Sequence, residues 1–209
     1  MVNSTTAPES AIAGVIERLR ESMPEGDARH PNFVDSVIAD ARVAAAFRGE
    51  RHEFRSKLDA LAQAFRLMLQ TDAFFALVAY RMKARLLGLG IPVLPWIAHR
   101  LSMISAQISI EETVVVRPGV VIPNGQVVIE GDVEIGALVT LSPWVTIGPT
   151  RGGGAGPTLA PGVVVGTGAK LVGDIEIGTN SRIGLNAVVL DDVPPNTTVV
   201  GMPAEPIAD

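Results

Sequence analysis

Residues 159–190 read LAPGVVVGTGAKLVGDIEIGTNSRIGLNAVVL, with an aliphatic side chain at every sixth position: Leu159, Val165, Leu171, Ile177, Ile183 and Val189. The same phase runs earlier through Ile129, Ile135, Leu141 and Ile147. Two residues before most of these sits a second, usually small position: Val127, Val133, Val139 and Val145, then Val163, Ala169, Ile175, Ser181 and Ala187. A period of six is neither the 3.6 of a helix nor the 2 of a half-buried strand. It predicts one short strand and one turn per repeat, stacked as a solenoid. Three such hexads make one triangular coil of a parallel β-helix, and roughly four coils fit between Ile108 and Val189. Gly follows the aliphatic at Gly136, Gly148, Gly166, Gly178 and Gly184, and is expected to take corners where φ is positive. A sandwich of alternating strands would need period-2 runs and two-residue hairpins, which the comb lacks.

The comb breaks twice. Ile110, Val116 and Ile122 are six apart, but Ile129 comes seven later, so one residue is inserted near Pro123-Asn124-Gly125. Ile147 to Leu159 spans two periods filled by residues 149–157, PTRGGGAGP, which is expected to be a flexible loop pushed out of the coil. Loops on rigid scaffolds carry function more often than the scaffold does.

Residues 1–106 read as a helical N-terminal domain and residues 107–209 as the β-helix with its tail. Ile12, Val15, Ile16, Leu19 and Met23 share one helical face. Phe33, Val37, Ala41 and Ala44 share another, with Gly49 as a stop. A third helix carries Phe54, Leu58, Leu61 and Phe65. A fourth, capped by Thr71 or Asp72, runs through Phe75, Val78, Met82 and Leu86 to Gly88. Pro92 and Pro95 break the chain before a last helix, Trp96 to Met103. Such a bundle would also shield the open end of the solenoid core.

The chain has 209 residues and no cysteine, which excludes thiol chemistry and fits a reducing, cytoplasmic setting. No secretory signal is read at the start. The longest uncharged apolar run, Leu86 to Ala98, is too short to span a bilayer. Arg81, Lys83, Arg85 and Arg100 flank it; a membrane-surface helix is the alternative to a solvated face on a packed bundle, which is the expectation. Net charge is −5, unevenly spread: residues 1–107 hold 13 Lys/Arg and 11 Asp/Glu, and residues 108–209 hold 4 and 11. That balance argues against nucleic acid as a partner.

The order of elements, the run 164–173 (VVGTGAKLVG) and the run 192–204 (DVPPNTTVVGMPA) resemble the serine O-acetyltransferase family and its hexapeptide-repeat relatives. The resemblance covers roughly residues 73–207. It implies an α+β fold, a helical N-terminal domain followed by a left-handed parallel β-helix, assembled as a trimer or dimer of trimers with sites between neighbouring β-helices. It implies an acyltransferase with acetyl-CoA or another acyl-CoA as co-substrate, a small-molecule acceptor and no metal. The family uses a His as general base, the proton acceptor that makes an alcohol nucleophilic. Its Asp-His pair falls at Pro123-Asn124, or one residue back on Ile122-Pro123. Its second His falls at Pro143, and the Arg that helps hold the serine carboxylate falls at Ala155. No histidine follows His99. An Asn cannot take a proton at neutral pH. The expected acceptor is therefore an amine or hydroxyl that needs no His base. Asn124 is the catalytic candidate, and Pro123, Pro143 and Trp144 line the acceptor side.

Gly148, Arg151, Gly166, Thr167, Gly168, Ala169, Lys170 and Arg182 are the expected CoA-binding residues: small positions for the pantetheine arm, cations for its phosphates. Glu205 stands where relatives carry Arg, against phosphate binding. His99, beside Arg100, is expected to be a surface residue. The family's tail that docks into a sulfhydrylase ends in Ile; this one ends Ile207-Ala208-Asp209, so that partner is not expected. The alternative reading is a non-catalytic β-helix that binds CoA or a partner chain, as one subunit of a mixed oligomer.

Overall fold

The structure is a computed structural model that describes residues 32–91, 93–151 and 154–207. Four helices come first: α1 (Phe33–Phe47), α2 (Lys57–Gln70), α3 (Asp72–Gly88) and α4 (Leu94–Ala106). The helix expected over Ile12 to Met23 lies outside the described residues. Asn32 caps α1 by accepting from the Val34 N–H at 3.0 Å, and Ser56 caps α2 from the Asp59 N–H at 3.2 Å. Thr71 precedes α3 but gives no side-chain cap; its hydroxyl donates back to Leu67 O at 2.7 Å. Pro95 sits in the first turn of α4, where its missing N–H is harmless.

After Gln107 the chain forms strands β1 (Ile108–Ile110), β2 (Val115–Val116), β3 (Val127–Ile129), β4 (Asp132–Ile135), β5 (Thr140–Leu141), β6 (Thr146–Gly148), β7 (Ala155–Leu159), β8 (Val164–Val165), β9 (Lys170–Val172), β10 (Glu176–Ile177), β11 (Arg182–Ile183), β12 (Val188–Val189), β13 (Thr198–Gly201) and β14 (Ala204–Pro206). They build three sheets with orders β1-β3-β6-β9-β12, β10-β7-β4-β2 and β14-β13-β11-β8-β5. Every pairing between strands is parallel except β13 with β14, which folds the tail back on the last coil. Each comb residue from Ile129 to Val189 is buried, and so is each small partner two residues before it. Ser181 is the one polar member of the small column; its hydroxyl donates to Pro194 O at 2.6 Å, which satisfies it inside the prism.

The open end of the prism is plugged by α3. Ala73, Ala76, Leu77 and Tyr80 join the coil aliphatics in one apolar cluster. The Tyr80 hydroxyl donates to Val114 O at 3.0 Å, and burial pushes its pKa up to about 12. A second cluster joins α1, α2 and α3 through Val37, Ala41, Leu67 and Phe74.

Four expectations change. The glycines after the comb residue do not supply the positive φ; that falls two residues later, at Leu138, Gly162, Gly168, Asn180 and Asn186. Gly166 is needed instead for close approach, because a Cβ there would stand 2.7 Å from Ile183 O of the next coil. Ala155-Gly156-Pro157 are not loop but the start of β7, with Gly156 and Pro157 buried and a register shift between Asp132 and Glu134 absorbing the irregularity. On α2 the stripe Leu58, Leu61, Phe65 is exposed, and the helix packs through Ala60, Gln63, Ala64 and Leu67. Arg81 and Lys83 are not on a solvated face. Arg81 is buried against Asp40 (Nε–Oδ2 3.0 Å, Nη2–Oδ1 3.1 Å) and donates to the carbonyls of Val116 and Arg117. Lys83 donates to Ile110 O at 2.9 Å, and burial lowers its pKa. Both cations tie α3 to the first coil, so they supply no membrane-facing charge. No helix among the described residues is long and apolar enough to cross a membrane.

Candidate active site

The prism has three edges, where one sheet hands over to the next. The first edge, between β5-type and β6-type strands, consists of residues 122–126, 142–145, 166–169 and 184–187. The second consists of 111–114, 130–131, 149–151, 173–175 and 190–192, and the third of 117–120, 136–139, 160–163, 178–181 and 194–197. The register of β6 on β9 (Thr146 opposite Lys170) and of β9 on β12 (Lys170 opposite Val188) puts Trp144, Gly168 and Asn186 in successive rungs of the first edge. Edge hydrogen bonds hold the stack: Trp144 N–H to Gln126 O at 2.7 Å, Gly168 N–H to Pro143 O at 2.9 Å, Asn186 N–H to Thr167 O at 2.9 Å.

This geometry gathers most of the candidate residues. Pro123, Asn124, Pro143, Trp144, Gly166, Thr167, Gly168 and Ala169 all lie on the first edge, and Lys170 opens the strand that leaves it. Arg182 points outward from β11, on the sheet that enters the same edge, opposite Val164. Gly148 is the last residue of β6, opposite Val172, and Arg151 lies on the second edge beyond it. Asn124 is exposed, on a segment pressed against the end of α4: Gln126 N–H donates to Ala106 O at 2.8 Å, and a Cβ at Gly125 would stand 1.7 Å from that oxygen. Lys170 Nζ donates to Trp144 O at 2.6 Å.

The edges differ in charge. Of the carboxylates after residue 107, Glu111, Glu112, Glu130, Asp174, Asp191 and Asp192 sit on the second edge, with Asp132 opening β4 beside it. The first edge has none. A polyanion is therefore repelled from the second edge and meets bare backbone and an ammonium at the first. The linear sequence shows only the total charge of this half. The partition becomes visible once residues are assigned to edges.

Two side chains stand out for their backbone. Leu138 (φ 62°) and Trp144 (φ 66°) occupy the left-handed region. There a residue with a Cβ loses roughly 1–2 kcal/mol. Leu138 is compensated: it is 2% exposed and packs with Val43, Ala46 and Val121, a burial that contributes about 1.5–3 kcal/mol. Trp144 is 59% exposed. Among the described residues no apolar cluster of the core includes it.

His99 is half-buried on α4. Burial, then the charges of Lys83 and Arg100, lower its pKa against the opposing pull of Glu112. None of these neighbours belongs to the first edge. Among the described residues no group of three or more His, Asp or Glu is placed to hold a metal ion.

Parallel coils, a helical plug and this edge can be set beside known proteins. No family model matches the chain. The serine acetyltransferase of Synechococcus elongatus is 61% identical over 51 residues, 24% of this chain and 21% of that protein. That of Mycobacterium tuberculosis is 52% identical over 56 residues, 27% of this chain and 24% of that protein. The chain thus matches less than a quarter of the length of these curated relatives. In structure the likeness extends much further. The soybean serine acetyltransferase apoenzyme aligns with a TM-score of 0.69 at 27% identity, over 93% of this chain and 74% of that one. The chain is serine acetyltransferase-like. A serine acetyltransferase in complex with CoA aligns with a TM-score of 0.67 at 24% identity, over 96% of this chain and 77% of that one. The serine acetyltransferase-like fold makes the prism a left-handed β-helix behind an N-terminal helical region.

Proposed function

We propose that the protein is an acyl-CoA-dependent acyltransferase that moves an acetyl or other acyl group from the CoA thioester to a small-molecule amine or hydroxyl. The observation that carries this reading is the first edge, free of carboxylates and with a rung of small residues, Gly166 to Ala169, that leads into Lys170, on a serine acetyltransferase-like fold. Gly166, Thr167, Gly168 and Ala169 leave room for the pantetheine arm against backbone, and Lys170 and Arg182 flank it for the phosphates. Gly148, at the end of β6, and Arg151, on the second edge, would take part only if the ligand extends across the face of β6. The molecule working on such an edge is a homo-oligomer, a trimer or a dimer of trimers, whose neighbouring β-helix closes the groove.

The residues present favour an amine as acceptor. The reaction forms a bond from the acceptor lone pair to the thioester carbonyl carbon; the carbon–sulfur bond breaks, and the thiol leaves with the proton the acceptor gives up. A hydroxyl needs that proton removed as it attacks, and a missing base costs roughly 10²–10⁴ in rate. An amine whose own pKa is low is present as the neutral base and is nucleophilic with its N–H protons still on. What it needs is placement, and alignment alone supplies roughly 7–11 kcal/mol of a bimolecular barrier at best. Asn124 offers a carboxamide that accepts from the amine N–H and holds its lone pair toward the thioester. Pro123 and Pro143 wall the acceptor position.

Titration calorimetry of acetyl-CoA and CoA into the full chain tests this reading. Micromolar binding that Lys170→Glu weakens tenfold or more is expected. No heat up to millimolar CoA, in protein shown to be folded by circular dichroism, would refute it.

A further inference from the structure

Helix α2 is apolar on two sides, and the bundle uses one of them. Ala60, Gln63, Ala64 and Leu67 are buried, with Ala64 and Leu67 in the cluster shared with α1 and α3. On another side Leu58, Leu61, Phe65 and Leu69 are 79%, 39%, 61% and 73% exposed. At about 3.6 residues per turn these four form one continuous stripe, with Ala62 among them. Single exposed apolar side chains are ordinary, but a stripe of large ones marks a surface that packs against something.

The chain holds a segment of the same design. Ile12, Val15, Ile16, Leu19 and Met23 lie outside the described residues, and in sequence they stand at i, i+3, i+4, i+7 and i+11. Leu58, Leu61, Ala62, Phe65 and Leu69 stand at the same five offsets. Either run, as a helix, measures about 17 Å from its first apolar residue to its last, so the two stripes match in length. Glu17, Arg18, Arg20 and Glu21 fall between the apolar positions of the first segment and suit its other faces to water. A helix of this length is marginal alone and gains its stability by packing an apolar face.

The connection brings the two together. Residues 24–31, PEGDARHP, join the segment to Asn32, which caps α1. Eight residues reach at most about 26–29 Å. The start of α1 lies beside the start of the stripe, because Asp35 in the first turn of α1 meets Lys57, the residue before Leu58 (Nζ–Oδ1 3.4 Å). The stripe is therefore within reach of the tether. A tether this short holds the segment at an effective concentration on the order of millimolar, which favours it over a second copy of the chain in dilute solution.

We propose that residues 12–23 pack as a helix on the α2 stripe of their own chain, making Leu58, Leu61, Phe65 and Leu69 an intramolecular docking surface. The proposal is independent of the transferase reading. A second copy of the chain is the rival occupant.

The chain has no cysteine, so pairs of introduced cysteines report this contact without background. Ile12→Cys is combined with Leu58→Cys or with Leu69→Cys, at the two ends of the stripe, and with exposed Leu190→Cys on the second edge of the prism as control. Under mild oxidation of dilute protein, one stripe pair should close an intrachain disulfide at least tenfold faster than the control, and the pair that closes gives the direction of the segment. Phe65→Asp changes a side chain that α2 itself leaves exposed. It should speed tryptic cleavage at Arg18 and Arg20 at least tenfold, with the oligomer unchanged on a sizing column. The proposal fails if neither stripe pair outruns the control, or if Phe65→Asp leaves cleavage unchanged. Disulfides that form only between chains, or a smaller oligomer in Phe65→Asp, would overturn it by giving the stripe to a second copy.

Discussion

Replacing Asp40 with alanine is expected to cost about 3–5 kcal/mol of folding stability, because it leaves a buried guanidinium without its counter-charge. Asp40 is fully buried on α1 and Arg81 is nearly so on α3. Two hydrogen bonds join them, and Asp40 Oδ1 also accepts from the Gly119 N–H at 2.7 Å in the first coil. The truncation strands the Gly119 donor as well, a loss of roughly 1–3 kcal/mol on its own that overlaps with the first. Against a total stability on the order of 5–15 kcal/mol this is a large share. Urea unfolding followed by far-UV circular dichroism reads it directly. Arg81→Met leaves the opposite problem, and it has a pH signature. Burial already raises the Asp40 pKa, and Arg81 is the chief influence holding it down. Without Arg81 the folded-state value rises further above the unfolded one, so the folded state binds the proton more tightly. The stability this proton brings is fully present below the ordinary carboxylate range and is lost as pH rises through the folded value. The Arg81→Met deficit should therefore be smaller near about pH 4 than near about pH 8. Asp40→Leu combined with Arg81→Met should recover most of the loss of either. A deficit below about 1 kcal/mol for Asp40→Ala, or an Arg81→Met deficit that does not shrink in acid, would refute the account.

Two glycines should behave oppositely. Gly166→Ala puts a Cβ 2.7 Å from Ile183 O and should lower stability by roughly 1–3 kcal/mol, while Gly88→Ala, with nothing within 4 Å, should raise it by about 0.4–1 kcal/mol; thermal unfolding ranks them. His99→Gln should leave acyl transfer within twofold of wild type from about pH 6 to 8, because its charged neighbours lie away from the first edge; a tenfold loss in initial rate would return a histidine to the chemistry.

The fold was legible because a period of six has few structural solutions, and each comb residue from Leu159 to Val189 lands inside the prism as read. The glycines were legible as corners but not in their reason. Gly166 stands in contact with a coil 18 residues away, Ile183 to Gly184, and no local pattern shows that approach. Arg81 and Lys83 were opaque for the same cause. Their partners, the carbonyls of Val116, Arg117 and Ile110, belong to coils formed some thirty residues later. The α2 stripe misled because Leu58, Leu61 and Phe65 have helical spacing whichever face packs, and the small face of Ala60 and Ala64 is the one that fits against α1. The candidate residues Asn124, Trp144 and Gly166 to Lys170 were singled out separately in the sequence, and the edge assignment places them along one edge of the prism. Strain at Trp144 is a dihedral and had no sequence signal beyond an aromatic where small residues recur.

The charge partition between edges leads to a prediction that a net charge of −5 would not make. If CoA lies along the first edge, its phosphates meet Lys170 at contact distance, where a unit charge pair is worth about 1 kcal/mol even in bulk water and more against protein. Lys170→Glu replaces attraction by repulsion, so the swing is twice that, and a loss of tenfold or more in affinity follows. Asp191 is exposed on the second edge. A face of the prism is roughly 15 Å wide, from a hexad of residues at about 3.3 Å each less the turn. At that separation a unit pair in water is worth only about 0.3 kcal/mol, and salt near 0.15 M, with a Debye length of about 8 Å, screens most of it. Asp191→Lys, the same change in charge with opposite sign, should therefore alter CoA affinity less than twofold by calorimetry. If CoA instead lay on the second edge beside Arg151, the order would invert: Asp191→Lys would tighten binding strongly, and Lys170→Glu would leave it almost unchanged. The pair of variants thus locates the ligand on the prism without a bound structure, since each edge predicts a different member to dominate.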